Sequence, residues 1–241
     1  AAAGLDGGSI NPTGASVGTK EGFSIIKITT PSSDGAYTVS HGLTKAPQFI
    51  IYRIYDQAMS WYVWHQGYDS AKSYMLFNAN SALNSGTYVF NNTLPTASVI
   101  TDYAGNANHH NEGRAMMYYS WHDVPGLQKF GTYEGNGSTD GPFVELGFKP
   151  AVLILKNVDD AENWYIYDLE RSKTNVAYQS LQASQDAAEN TGASDTRVDL
   201  LSNGFKLRQA NGPNTGSDSY IYAAWAEVPS FNLYGAQSNA R

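Results

Sequence analysis

One pattern runs through this chain twice. Ser32-Ser33-Asp34-Gly35 returns as Ser138-Thr139-Asp140-Gly141, and Ser60-Trp61-Tyr62-Val63 returns as Asn163-Trp164-Tyr165-Ile166. Tyr118-Tyr119-Ser120-Trp121-His122-Asp123-Val124-Pro125 returns as Tyr222-Ala223-Ala224-Trp225-Ala226-Glu227-Val228-Pro229. The three pairs lie 106, 103 and 104 residues apart, an agreement that chance explains poorly. Such a period is too long for a solenoid unit of ~20–50 residues and suits a whole domain of ~100–150. The sequence therefore reads as a linker or arm over 1–20 and two copies of one fold over 21–127 and 128–241. Two similar modules in series suggest a spacer, a scaffold or a multivalent binder, since an enzyme usually concentrates its chemistry in one site.

The fold class follows from residue type. With 23 glycines, 9 prolines and 17 tyrosines among 241 residues, turn formers punctuate aromatic and β-branched runs. That pattern predicts an all-β protein, here in two tandem modules. Strands are expected over 22–30, 49–55, 60–65, 74–77, 87–90 and 115–124 of the first copy. In the second they are expected over 130–133, 142–145, 152–155, 164–167, 198–201, 205–207 and 220–228. Asn203-Gly204 is a hairpin signal, while 176–190 suits a short helix or a loop. Residues 1–20 lack apolar periodicity, hence the arm. Alternation along the closing strands puts Met117, Tyr119 and Trp121 on one face, matched by Ile221, Ala223 and Trp225. That face is expected to point inward, with each tryptophan anchoring its core.

Charge and composition exclude several functions. The net charge is −7 and charged residues make up 15% of the chain, which disfavours phosphate-rich partners, so no nucleic acid is expected. No apolar run approaches the ~20 residues of a membrane-spanning helix. Without cysteine, disulfides and thiolate metal sites are unavailable. The chain opens on Ala1 rather than methionine, which implies processing or a longer parent.

Candidate chemistry is sparse. His109 and His110 are adjacent and sit in no zinc-type spacing, so a solvated loop over 104–113 is the plainer reading. The other histidines, His41, His65 and His122, gave no motif, and the counterparts of His41 and His122 in the second copy are not histidine. Asp159, Asp160 and Glu162 form an acidic cluster that could take calcium, although a solvated turn fits better. Asp34 and Asp140 read first as Asp-Gly turn residues. No nucleophile elbow, phosphate loop or dinucleotide fingerprint occurs. Binding without catalysis, cofactor or metal is the expectation. Trp61 and Trp164 read as core; Trp64, on the opposite strand face from Trp61, is the better surface candidate. Possible surface contacts are Trp64, Asn108, His109, His110 and Asn214, with the loops 104–113 and 211–218.

Residues 128–156 carry Lys129-Phe130-Gly131, Gly135-Asn136-Gly137, Asp140-Gly141-Pro142-Phe143-Val144 and Gly147-Phe148-Lys149-Pro150. This progression resembles a repeat family in tail and virion proteins of marine phages, notably those infecting cyanobacteria. Asn163-Trp164-Tyr165-Ile166-Tyr167-Asp168, Ser202-Asn203-Gly204-Phe205 and Tyr220-Ile221-Tyr222-Ala223-Ala224-Trp225 fit it too, and Asn239-Ala240-Arg241 resembles the end of such chains. Gly22-Phe23-Ser24-Ile25, His41-Gly42-Leu43 and Ala46-Pro47 match a looser sister version. The resemblance implies two tandem β-sandwich modules, jelly-roll or lectin-like, in a virion structural protein exposed at the surface or tail. It transfers no catalytic or binding residue; His122 and 106–111 depart from the pattern. Expected partners are the chain itself or other virion proteins, with a host surface glycan possible. A tail fibre or other exposed appendage is the leading expectation. A capsid decoration or head fibre is one alternative. A carbohydrate-active enzyme is another, and would need paired carboxylates flanking a cleft.

Overall fold

The computed structural model describes residues 5–105, 111–189, 191 and 197–227. Among them there is no α-helix, and the strands form antiparallel sheets, so the all-β sandwich class holds. The chain divides into two compact units: Ala1–Leu76 with Asn84–His122, and Phe77–Leu83 with Asp123–Arg241.

Unit 1 holds β1 (Gly14–Gly18), β2 (Phe23–Thr29), β3 (Gly35–Ser40), β4 (Phe49–Ile54), β5 (Tyr62–His65), β6 (Ser73–Leu76), β7 (Asn84–Ser85), β8 (Val99–Ala104) and β9 (Ala115–Trp121). Seven of these form one sheet in the order β1-β2-β9-β4-β5-β6-β7, and β3 pairs with β8 in a second. Alternation selects the buried face: Ile26 and Ile28, Met116 and Tyr118, Tyr52 and Ile54 are all at most 1% exposed. Tyr37, Val39 and Ile100 of the small sheet are buried as well, and the Tyr37 hydroxyl lies 2.9 Å from that of Tyr118.

Unit 2 holds β10 (Gln128–Glu134), β11 (Phe143–Glu145), β12 (Pro150–Asn157), β13 (Tyr165–Asp168), β14 (Leu181–Gln182), β15 (Val198–Leu201), β16 (Gly204–Leu207) and β17 (Ser219–Ala226). The orders are β10-β17-β12-β13-β14 and β11-β16-β15. Leu153, Leu155, Tyr167 and Tyr222 of the first sheet share one core with Val198, Leu200, Phe205 and Leu207 of the second. The Asn203-Gly204 signal marks the turn between β15 and β16, which pair Leu201 with Gly204. Among the described residues of that stretch, 176–189 contain β14 and turns, not a helix.

The repeat is visible in the sheets. The run β2-β9-β4-β5 has its counterpart in β10-β17-β12-β13, with the same chain order and all pairs antiparallel. Trp121 pairs with Phe23 and Phe49, and Trp225 with Gln128 and Val152. Tyr62 stands opposite Tyr52 as Tyr165 stands opposite Leu155.

Four expectations need correction. Residues 5–20 are not a free arm: β1 pairs with β2 over five residues, Ile10 bridges Val39, and Leu5 is 4% exposed. An edge strand is held by main-chain hydrogen bonds, which require no apolar period. The inward face of β9 carries Met116, Tyr118 and Ser120, while Met117, Tyr119 and Trp121 are only half-buried. In β17, Ile221 and Ala223 are buried as expected, but Tyr222 and Ala224 of the other face join the core cluster and Trp225 is half-buried. Both faces of these strands carry large apolar groups, so size alone misassigns the face. Residues 87–90 do not form a strand. A 3₁₀ turn over Val89–Asn92 replaces it, because Phe90 and Asn91 take left-handed backbone, φ 45° at each, that no strand adopts. Finally, the compact units part after His122 rather than Leu127, and Phe77–Leu83 belongs to unit 2.

Candidate functional site

Of the residues proposed as surface contacts, Asn108, His109 and His110 lie outside the described residues. The other two are interior. Trp64 is 4% exposed, its ring edge-on to Phe90 at 5.9 Å. The partially exposed tryptophan of that stretch is Trp61, beneath the Arg53 guanidinium at 5.0 Å. Trp164 is buried as expected, with the Phe77 ring at 5.1 Å. The strand that begins at Tyr62 explains the exchange: Trp64 alternates with Tyr62 onto the core side, and Trp61 precedes the strand.

Asn214 is fully buried and acts as a clasp. Its Nδ2 donates to Asn136 Oδ1 at 3.1 Å, Ser138 O at 2.8 Å and Gln209 O at 2.7 Å. Its Oδ1 accepts from the Asn136 backbone N–H at 3.0 Å. One amide thus locks the 135–138 turn to the 209–218 loop. A short polar side chain among glycines reads equally well as a loop contact or a loop clasp, so sequence alone misplaced it.

The polar centre of unit 2 went unnoticed in the sequence. Lys156 is fully buried on β12, and its Nζ donates to Asn157 O at 2.9 Å. Burial lowers its pKa to about 8, against the pull of the Glu162 carboxylate, which raises it. Glu162 is pushed up to about 7 by burial, with Lys156 opposing, and its Oε2 is buried without a hydrogen-bond partner. Around them, Asn157 donates to Asp218 Oδ2 at 2.8 Å and to the Tyr220 hydroxyl at 3.3 Å. Tyr133 stacks on Tyr220 with centroids 4.9 Å apart, and the two hydroxyls donate to Pro213 O and Gly212 O. Asp159 accepts from the Ser219 N–H at 2.6 Å, while Asp159 and Asp160 are exposed. The expected solvated turn is therefore right for the two aspartates and wrong for Glu162. A group ionising near neutrality can move protons, but the carboxylates around Glu162 hold strand and loop ends, and Lys156 has no access to solvent. Alternation did not announce Lys156, which shares the row of Val152 and Ile154 and not that of the core residues Leu153 and Leu155.

Unit 1 has a comparable centre. Asp102 is fully buried on β8, and its Oδ2 accepts from the Tyr118 hydroxyl and, at 3.4 Å, from the Tyr37 hydroxyl. Its Oδ1 accepts from the Tyr103 N–H. Burial and the Asp102 charge hold both phenols far above their ordinary pKa. His41 is also buried: its Nδ1 accepts from the Leu43 N–H, which leaves Nε2 to donate to Thr96 O at 3.1 Å. Burial depresses its pKa and favours this neutral tautomer. His65 Nδ1 likewise accepts from the Gly67 N–H at 2.9 Å. These histidines close turns.

The recurrent turn aspartates are pinned differently in the two copies. Asp140 pairs with Lys206 of β16 at 2.9 Å, and that ammonium lowers its pKa. Asp34 accepts instead from the Tyr103 hydroxyl on β8, which raises the phenol's pKa. A cleft of about 200 Å³ is lined by Asp123, Pro125, Gln128, Lys129 and Leu146. Asp123 there accepts from the Phe130 N–H, and Lys129 donates to Glu145 O, so both charges brace strands. Among the described residues no group of three His, Cys, Asp or Glu is placed to hold a metal ion.

No curated protein and no solved structure matches the chain. The family model of DUF7483, a domain of unknown function, matches residues 1–229, which take in the duplicated sheets of both units. The chain belongs to that family.

Proposed function

We propose that this protein is a virion structural component, a module of a tail fibre or another exposed appendage that serves as spacer or host-adsorption element. The observation that carries this reading is the duplicated sheet. The four-strand order and its register pairs recur in both units, while the interior carboxylates Glu162 and Asp102 do not. Glu162 belongs to unit 2 and Asp102 with its phenols to unit 1, whereas the Lys156 position recurs as Arg53, each cation donating to the carbonyl of the next residue. A recurring frame with non-recurring interior carboxylates suits a scaffold, and buried amides such as Asn214 stiffen its loops. The resemblance of residues 128–156 to phage tail and virion repeats points the same way, and partners would be further copies or other virion proteins. The test is to locate the chain in purified particles by cryo-electron microscopy with immunogold labelling. Labelled density in an exposed appendage is expected; particles that lack the chain would sink the reading.

A further inference from the structure

We propose that the loop end of unit 1 carries a saccharide site made by the rings of Tyr88 and Tyr103 and the carboxylate of Asp34. Its ligand would be a neutral hexopyranose of a surface polysaccharide. The inference rests on the adsorption reading above and names the ligand class for it.

The two rings meet at 5.1 Å between centroids and 56° between planes, and Tyr88 is 39% exposed. Tyr103 stands on the outward row of β8, with Val99 and Thr101, while Ile100, Asp102 and Ala104 point into the core. Asp34, exposed at the turn before β3, accepts from the Tyr103 hydroxyl. Its carboxylate lies against Gly105, where any Cβ would collide with Asp34 Oδ1 and where φ is +114°. Glycine is therefore required to seat that carboxylate. Tyr88 leads into a left-handed run at Phe90, Asn91 and Asn92, with φ of 45°, 45° and 51°. Such backbone is unfavourable for side-chain-bearing residues and persists only when its surroundings impose it. Here Val89 and Phe90 are fully buried, the Phe90 ring 5.2 Å from Tyr52 and 5.9 Å from Trp64. The core thus fixes the backbone that presents Tyr88, and Gly105 leaves room for the Asp34 carboxylate; a ligand meeting Tyr88 would need little ordering of that backbone.

The chemistry selects the ligand. Aromatic faces offer the C–H face of a pyranose a large apolar contact. A carboxylate can accept several hydrogen bonds, so with one taken by Tyr103 it retains capacity for sugar hydroxyls. Its charge, on a chain of net charge −7, opposes uronic acids and phosphorylated sugars. Unit 2 shows that pinning the turn requires no ring. Lys206 faces Phe143 across β16 and β11 as Tyr103 faces Ala36 across β8 and β3, and Lys206 pins Asp140.

The experiment uses the full chain with ring-¹³C tyrosine, its Tyr88 and Tyr103 resonances assigned by Tyr→Phe variants. Methyl glycosides of glucose, galactose and mannose are titrated, with methyl glucuronide as the charged control. At least one neutral glycoside should shift both resonances, and the glucuronide should not. Tyr103→Lys copies the pin of unit 2, so it should keep the melting temperature and lose the sugar-induced shift at Tyr88. Tyr88→Ala should abolish the shift at Tyr103. Unmoved rings with all three neutral sugars, or undiminished binding by Tyr103→Lys, would overturn the site. Either failure together with the chain located in an exposed appendage would leave the virion reading standing. Shifting rings in a chain absent from particles would do the reverse.

Discussion

Single polar residues carry much of the definition of this fold. Asn214 satisfies three backbone or side-chain acceptors and one N–H donor inside unit 2. Leaving buried partners unsatisfied costs about 1–3 kcal/mol, so Asn214→Ala should lower the unfolding free energy, read from urea titration, by that order. Tryptophans divide by burial rather than by repeat position. Trp64→Ala, at a 4% exposed site, should cost about 3–5 kcal/mol; Trp61→Ala should cost clearly less. Equal losses in the two variants, measured by denaturant titration, would contradict the strand face assigned to β5. Glu162 and Lys156 impose a pH dependence with two opposite windows. Glu162 titrates at about 7 in the native state against 4.5 ordinarily, so native protein holds a proton that the unfolded chain has released. Stability therefore falls as pH rises through that window. Lys156 titrates at about 8 against 10.5, so above 8 the unfolded chain holds the extra proton and stability climbs with pH. In Glu162→Gln the lower slope should vanish, and the upper window should begin at lower pH because the carboxylate that favours the ammonium is gone. Urea midpoints measured across both windows report this directly.

At the scale of the element, apolar runs marked the central strands, and main-chain pairing decided an edge strand that they missed. β4 and β12 are apolar runs bounded by proline and turn residues, and both lie in the middle of their sheets. β1 is the opposite case: Gly14-Ala15-Ser16-Val17-Gly18 has no apolar face, yet it pairs residue for residue with β2. Its stabilisation is mostly the main-chain ladder plus Leu5, Ile10 and Val39 alongside. Removing residues 1–18 should then expose the β2 edge and speed amide hydrogen exchange in β2 and β3. Unchanged protection in those strands would mean that the segment adds no stability. The turn at Val89–Asn92 makes the complementary point, since left-handed backbone at Phe90, Asn91 and Asn92 interrupts a sequence that looks extended.

At the scale of the molecule, the two units are built by one topological recipe, but the chain does not divide where its repeats do. Phe77–Leu83 is counted in the first copy by sequence and belongs to unit 2 in space. Its Leu83 N–H donates to Val158 O, and the Phe77 ring meets Trp164 edge-on. Phe77→Ala should accordingly loosen unit 2. Hydrogen exchange should rise around Trp164 and β13 more than in β6, the strand that immediately precedes Phe77 in sequence. Faster exchange confined to β5 and β6 would show that the segment serves unit 1 instead.

The all-β class, the duplication and most strand positions were determined by the sequence alone. They depend on residue type at short range: Asp-Gly and Asn-Gly reversals, β-branched and aromatic runs, and a pattern that returns after about a hundred residues. Which face of β9 turns inward, whether Trp61 or Trp64 is buried, and the seating of Asn214, Lys156 and Glu162 were decided only by tertiary structure. When both faces of a strand carry apolar groups, local alternation gives two equivalent solutions, and the second sheet chooses between them. Tyr118 is interior because Asp102 and Tyr37, 16 and 81 residues away along the chain, supply partners for its hydroxyl. Tyr88, Tyr103 and Asp34 likewise meet only after β3 and β8 have paired, so no local spacing in the sequence could announce them.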